Sequence, residues 1–341
     1  MSNLDDINLQ IMKNKIGFYD HNLNILNDKY KGNQTFDIII SRFKKYMDCI
    51  NKLLCQVSIT TDKQIKEDLL DTASKMICSN INDLYLIISN ILVTNDNKLH
   101  RILDGISLKL KNIFNIKTDV IILDGTDFFS TLFFTAKYTK LSLDAMYTIN
   151  INSSLDILGV PQIAHEFGHI HMDADQDIYK NLFKEIHHIF SNSSLDYSKE
   201  KEKIEELTCD IFAAHTFGLS FAYSYILSFN YTFNEPSSFH FDDYFRIKFI
   251  MRYLNESHNT FINNFIATFK NQSNDYRKYN NIMDKLINVY RNFFEGKFSK
   301  IPILEKENQI LNLWFEKLFD PKNNLKFNDI INSAKYSFNM E

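Results

Sequence analysis

The sequence predicts an α+β protein that is predominantly helical, and three observations predict it. Only 8 Gly and 4 Pro occur among 341 residues, too few for a β-sandwich with many tight turns. Apolar residues recur at helical spacing in the amino-terminal third and again from about residue 177 to the end. Between these regions lie two short strand-like runs, TDVIILDG at 118–125 and AMYTININ at 145–152, which predict a small sheet.

The elements follow in order. In FDIIISRFKKYMDCINKLLCQV, Ile39, Phe43, Ile50, Leu54 and Val57 mark one helical stripe. Ile65, Leu69, Ala73, Met76, Ile77, Leu84 and Ile88 mark a second, with Thr61 and Asp62 between them as candidate caps. The two helices are expected to pair as an antiparallel hairpin. TDVIILDG ends in Asp-Gly, a turn signal. In AMYTININ, Tyr147, Ile149 and Ile151 alternate with Met146, Thr148 and Asn150, the period of a strand with one buried face. Ser153 and Ser154 can cap a short helix, and Gly159 with Pro161 sets up the start of the next, where proline is tolerated in the first turn. These features divide the chain into a helical region at 1–115, a core at 116–255 and a helical region at 256–341.

Composition narrows the function. Hydrophobic residues make up 45% and charged residues 23%, the usage of a globular protein that can bury a sizeable core. A formal net charge of -4 with interspersed signs offers no basic surface for nucleic acid and no polybasic tail for anionic lipid. The start, MSNLDDINLQIM, does not read as a signal peptide. Cys49, Cys55, Cys78 and Cys209 are scattered without a C-x-x-C pair, as expected of free thiols in the cytoplasm. Ile211 to Asn234 carries no Asp, Glu, Lys or Arg and is long enough to span a bilayer. Its histidine and many Ser, Thr, Asn and Tyr residues instead favour a buried helix or helix pair.

The chemistry concentrates in GVPQIAHEFGHIHMDAD, residues 159–175. His165, Glu166 and His169 form H-E-x-x-H. On a helix, positions i and i+4 share a face, so both imidazoles can reach one Zn2+. Glu166 is then the candidate general base that takes a proton from the attacking water. Ile163, Ala164, Phe167, Gly168 and Ile170 make the flanks apolar, as befits a buried helix. Catalytic zinc takes three protein ligands and keeps one position open, so a third ligand is required.

Two candidates present themselves. Asp175 has the spacing of a metzincin ligand, but that pattern needs a glycine turn where Met172 stands. Glu206, in EELTCDIFAAHTFG, shares a helix face with Asp210 and runs into the uncharged stretch, so a cation is expected beside the pair. Glu206 is the better ligand, and Asp210 can hydrogen-bond the outer nitrogen of one histidine.

QIAHEFGHIH together with EELTCDIFAA resembles the gluzincin metallopeptidases, in particular the ImmA/IrrE-like and HtpX-like peptidases, with Cys209 at a position usually held by alanine. FHFDDYFRIKFIMRYL is similar to the H-P-P-x-x-x-R segment of HtpX-like enzymes, with His240 and Arg246 in register and the prolines missing. The resemblance spans roughly residues 140 to 255. It implies a zincin-like core: a small sheet whose edge strand, here AMYTININ, receives a protein or peptide substrate, then the active-site helix and the glutamate helix. It also implies one Zn2+ per chain. HtpX-like enzymes are membrane-embedded; this chain has no convincing span, so the soluble relatives are the nearer guide.

His215, Tyr223, His240 and Arg246 are candidate donors to the oxyanion of the tetrahedral intermediate. His171 points off the ligand face, toward an outer-shell or surface role, and His187 and His188 read as surface. The leading expectation is a zinc-dependent endopeptidase. The alternatives are a zinc-binding regulatory or interaction protein, against which the intact Glu166 argues, and a helical scaffold with a chance motif. A hydrolase of non-peptide amides would use the same metal and base.

Overall fold

A computed structural model describes residues 4–29, 34–77, 98–125, 131–134, 146–152, 160–228, 240–267, 270–271, 273–298 and 302–319. Among these residues the protein is predominantly helical, and the chain falls into two compact units. The first comprises Met1–His100, Lys117–Phe128 and Leu132–Ser153; the second comprises Arg101–Ile116, Phe129–Thr131 and Ser154–Glu341.

In the first unit, α1 (Leu4–Lys29) and α2 (Gln34–Ile59) pack together, and α3 (Lys63–Lys75) packs on both. Ile16 and Leu23 of α1 meet Phe43, Met47, Ile50 and Leu54 of α2, with Ala73, Met76 and Ile77 closing the cluster. Asp62 caps α3 by accepting a hydrogen bond from the Ile65 backbone N–H at 3.1 Å. Ile65 does not join the buried stripe: it is 52% exposed, Ile59 is 80% exposed, and burial begins a turn later at Leu70. The tip of the hairpin therefore leaves two isoleucines in solvent among polar residues. Leu84 and Ile88, Ser153 and Ser154, Gly159 and the uncharged stretch beyond Ser228 lie outside the described residues.

Strands β1 (Asp119–Gly125), β2 (Thr131–Phe134) and β3 (Met146–Asn152) have the order β1-β3-β2, so AMYTININ, expected at the edge to receive a substrate strand, is instead the central strand with a hydrogen-bonded neighbour on each side. β1 and β3 are parallel, with Asp119 opposite Met146 and Gly125 opposite Asn152. Tyr147 and Ile149 are buried, the face that the alternation selects. The buried Arg42 of α2 donates to Asp119 at 2.7 Å and ties helix to sheet.

The second unit contains α4 (Lys98–Ile113, all but its first turn), α5 (Gln162–Ala174), α6 (Gln176–Asn192), α7 (Tyr197–Phe217), α8 (Leu219–Ser228), α9 (Asp243–Tyr253), α10 (Thr260–Ala267), α11 (Asn274–Phe298) and α12 (Glu305–Phe319). α11 buries Tyr279, Ile282, Met283, Leu286, Tyr290 and Phe294 at helical spacing, packing against α6, α7 and α9.

This division differs from the three regions read from the sequence. α4 joins the second unit because Phe114, just past its end, packs on Phe212 with ring centroids 4.4 Å apart, and Lys109 pairs with the buried Glu307 at 2.5 Å. The helices after 256 share that core rather than forming a region of their own.

As far as Ser228, the uncharged stretch is a helix pair. α7 ends at Gly218, whose φ of 59° only glycine adopts readily, and α8 begins at the next residue. Asn308 of α12 fills the corner, accepting from the Ser220 backbone N–H at 3.2 Å. Ile211 through Phe217 are all buried. Among the described residues, no helix is long and apolar enough to cross a membrane.

Candidate metal centre

α5 buries Ile163, Ala164, Phe167 and Ile170 on one side and leaves His165 and His169 partly accessible on another. The two imidazoles stand one turn apart, with ring centroids 5.1 Å apart. α7 lies against this helix. A Cβ at Gly168 would meet the Cys209 Cα at 3.0 Å and its Cβ at 3.1 Å. The flanking residues Glu206 and Asp210 are thereby delivered to the histidines. His165 Nε2 lies 3.2 Å from Glu206 Oε2, and His169 Nε2 lies 3.4 Å from Glu206 Oε1. Ligand atoms of His165, His169 and Glu206 all fall within 4.8 Å of one another.

These residues fit a divalent ion. Four ligands at about 2.1 Å in a tetrahedron stand about 3.4 Å from each other, close to the separations between Glu206 and the two imidazoles. Two imidazole nitrogens and one carboxylate oxygen suit Zn2+.

Behind the two imidazoles the cluster is closed by charge. His165 Nδ1 donates to Asp210 Oδ1 at 3.0 Å. Asp210 is fully buried and also accepts two bonds from Arg246, Nε to Oδ2 at 2.6 Å and Nη2 to Oδ1 at 2.7 Å. Burial opposes charge on His165, but its hydrogen bonds with Asp210 and Glu206 prevail and push its pKa up to about 10. Burial likewise opposes charge on Glu206, yet the imidazoles of His165, His169 and His240 hold its carboxyl well below the usual range. The carboxylates thus create a place for positive charge, which a proton on His165 or a metal ion can supply.

Glu166 follows His165 and is only 5% exposed. His240, at the entrance to α9, brings Nε2 to 3.2 Å from Glu206 Oε2 with its side chain 40% exposed. It is the candidate oxyanion donor that lies beside the cluster with a face to solvent. Arg246, expected in the same role, is instead buried against Asp210.

The other two donors are engaged elsewhere. His215 is nine residues beyond Glu206 on α7, about 13 Å along the axis; its Nδ1 shares a 2.6 Å hydrogen bond with the Tyr253 hydroxyl. Tyr223 accepts from Asn259 Nδ2 at 2.9 Å and stacks on Phe315. Asp175, the alternative ligand, ends α5 and caps α6 by accepting from the Ile178 backbone N–H. His171, expected in an outer shell or at the surface, is a core residue: it shares a 2.8 Å hydrogen bond with the Tyr179 hydroxyl and packs against Phe114, Phe212 and Phe298. His187 and His188 are exposed.

Sequence reasoning missed Tyr225, whose ring lies 4.7 Å from the Arg246 guanidinium and whose hydroxyl donates to Asp243 at 3.0 Å. No local signal marks it, because the contact joins separate helices.

No protein-family model, curated protein or solved structure matches this chain.

Two outcomes follow from this packing. Gly168→Ala gains about 1 kcal/mol of helix propensity, but the methyl forces α5 and α7 apart at backbone contact, an overpacking cost of about 1–3 kcal/mol. A net loss of stability is expected, read by urea unfolding followed through Trp314, the single tryptophan of the chain. A variant more stable than wild type would refute the close-approach role.

The second concerns acid. Burial lowers the pKa of His215 from 6.5 to about 4. Its Nε2 has no hydrogen-bond partner among the described residues. The unfolded chain therefore takes up this proton before the folded one does. Stability is fully present above pH 6.5 and falls as pH drops toward 4, with on the order of 2 kcal/mol lost between pH 7 and 5 from this residue. His215→Phe should flatten that slope; an unchanged slope would assign the acid sensitivity elsewhere.

Proposed function

We propose that this chain is a zinc-dependent metallopeptidase of gluzincin type, with a zincin-like core, acting on protein or peptide substrates. The observation that carries the reading is the convergence of His165, His169 and Glu206 from two helices, with Asp210 behind His165. An H-E-x-x-H arising by chance would have no reason to meet a carboxylate pair, one partly exposed and one fully buried, 40 residues on; here both are within hydrogen-bond distance of the first histidine.

His165, His169 and Glu206 would hold the ion, which when bound would supply Lewis-acid chemistry by acidifying water and polarising a carbonyl. Asp210 fixes the ring orientation of His165 by accepting from Nδ1. Glu166 takes the proton of the attacking water and passes it to the departing amine. His240, exposed beside Glu206, donates to the carbonyl oxygen as it gains negative charge.

The test is zinc content of protein purified without added metal, beside cleavage of an unfolded protein substrate. Wild type should carry about one zinc and cleave. Glu166→Gln should keep the zinc and lose at least about a hundredfold in rate, the usual contribution of a general base. Zinc with no cleavage in any preparation would favour a metal-binding regulatory protein. Absence of zinc would end the peptidase reading.

A further inference from the structure

We infer that Arg246 is a positioning residue for the metal centre: through Asp210 it holds His165 in the tautomer that can bind a metal. The inference rests on the metallopeptidase reading and assigns Arg246 a role other than contact with substrate.

Donor and acceptor accounting carries the argument. An imidazole that ligates through Nε2 must carry its proton on Nδ1 and needs an acceptor there. Asp210 Oδ1 is that acceptor, at 3.0 Å. A guanidinium has donors only, so both contacts from Arg246 require Asp210 to accept at both oxygens. With Asp210 restricted to accepting, the proton between it and His165 resides on Nδ1, and Nε2 is left facing Glu206 and His169. The planar fork of arginine matches the two carboxylate oxygens, which a lysine cannot do.

Arg246 is itself fixed. It is buried, its guanidinium lies over the Tyr225 ring at 4.7 Å, and Tyr225 is in turn tied to Asp243. Three helices therefore converge on one ligand: α7 supplies Asp210, α8 supplies Tyr225, and α9 supplies Arg246. A residue held on all these sides is not placed to swing toward a substrate oxygen.

The experiment measures zinc affinity by competition with a chromophoric chelator, and the visible spectrum of the Co2+-substituted protein as a readout of the ligand field. Arg246→Met should fall about 10–100-fold in zinc affinity and alter the Co2+ spectrum, with Arg246→Lys between it and wild type. Because Arg246→Met leaves a buried carboxylate uncompensated, two neutral double variants accompany it. Asp210→Asn/Arg246→Met keeps an acceptor for Nδ1 and should bind zinc about 10–100-fold more tightly than Asp210→Leu/Arg246→Met, which lacks one. Equal affinities in the two doubles, or wild-type affinity in folded Arg246→Met with only turnover reduced, would overturn the inference while leaving the metal site intact. A wild type that binds no zinc would overturn the metal reading and the inference with it.

Discussion

For the proposed ligand set, Glu206→Ala is expected to lower zinc content from about one per chain to a small fraction, with affinity down at least a hundredfold. The magnitude follows from the order of effects around a metal. Losing a hydrogen-bond partner of a ligand costs about 10–100-fold, so losing the ligand itself must cost more. Glu206 also reaches both His165 Nε2 and His169 Nε2, at 3.2 and 3.4 Å. Asp175→Ala is the matched control. Its carboxylate caps α6, so its loss should lower stability by about 1 kcal/mol and leave zinc unchanged. Zinc retained in Glu206→Ala and lost in Asp175→Ala would reverse the assignment of the third ligand.

Asp210→Ala is expected to be the most damaging single change to stability at the site, at about 3–5 kcal/mol. Removing this carboxylate strands the Arg246 guanidinium in the interior, and an unpaired buried charge costs far more than the pair contributes. Asp210→Ala/Arg246→Met should recover most of the loss, since neither charge then remains to be solvated. Urea unfolding followed by Trp314 fluorescence reads the second unit, where that residue lies on α12. A shift under about 1 kcal/mol for Asp210→Ala would mean that water reaches the guanidinium and that the pair is not the closed element described here.

Much of the site was legible because its information is local. H-E-x-x-H specifies two side chains on one helix face, and E-x-x-x-D specifies two on another. The turn periodicity of an α-helix converts each spacing into a direction. The strands at 119–125 and 146–152 were legible for a similar reason, since β-branched content and alternation report on a strand's own two faces. Where the reading failed, a residue's fate depended on a neighbour distant in sequence. Ile65 has the spacing of a buried position, yet whether a first helical turn is covered depends on what lies across from it. His171 sits in the same motif as the ligands but faces Phe114, Phe212 and Phe298, from three other parts of the chain. Gly168 is only a helix-weakening residue until Cys209 is seen against it.

The sequence by itself determined which residue types are available for chemistry: two imidazoles and a base on α5, and two carboxylates on α7 just ahead of an uncharged stretch, where a cation is expected beside them. The tertiary structure decided which of Glu206 and Asp175 meets the histidines, and that Arg246 serves Asp210 while His240 stays open to solvent. The physical reason is that spacing sets direction within one helix, whereas distance between helices is set by packing. Here the missing side chain at Gly168 brings α7 close enough to α5 for both carboxylates to reach His165.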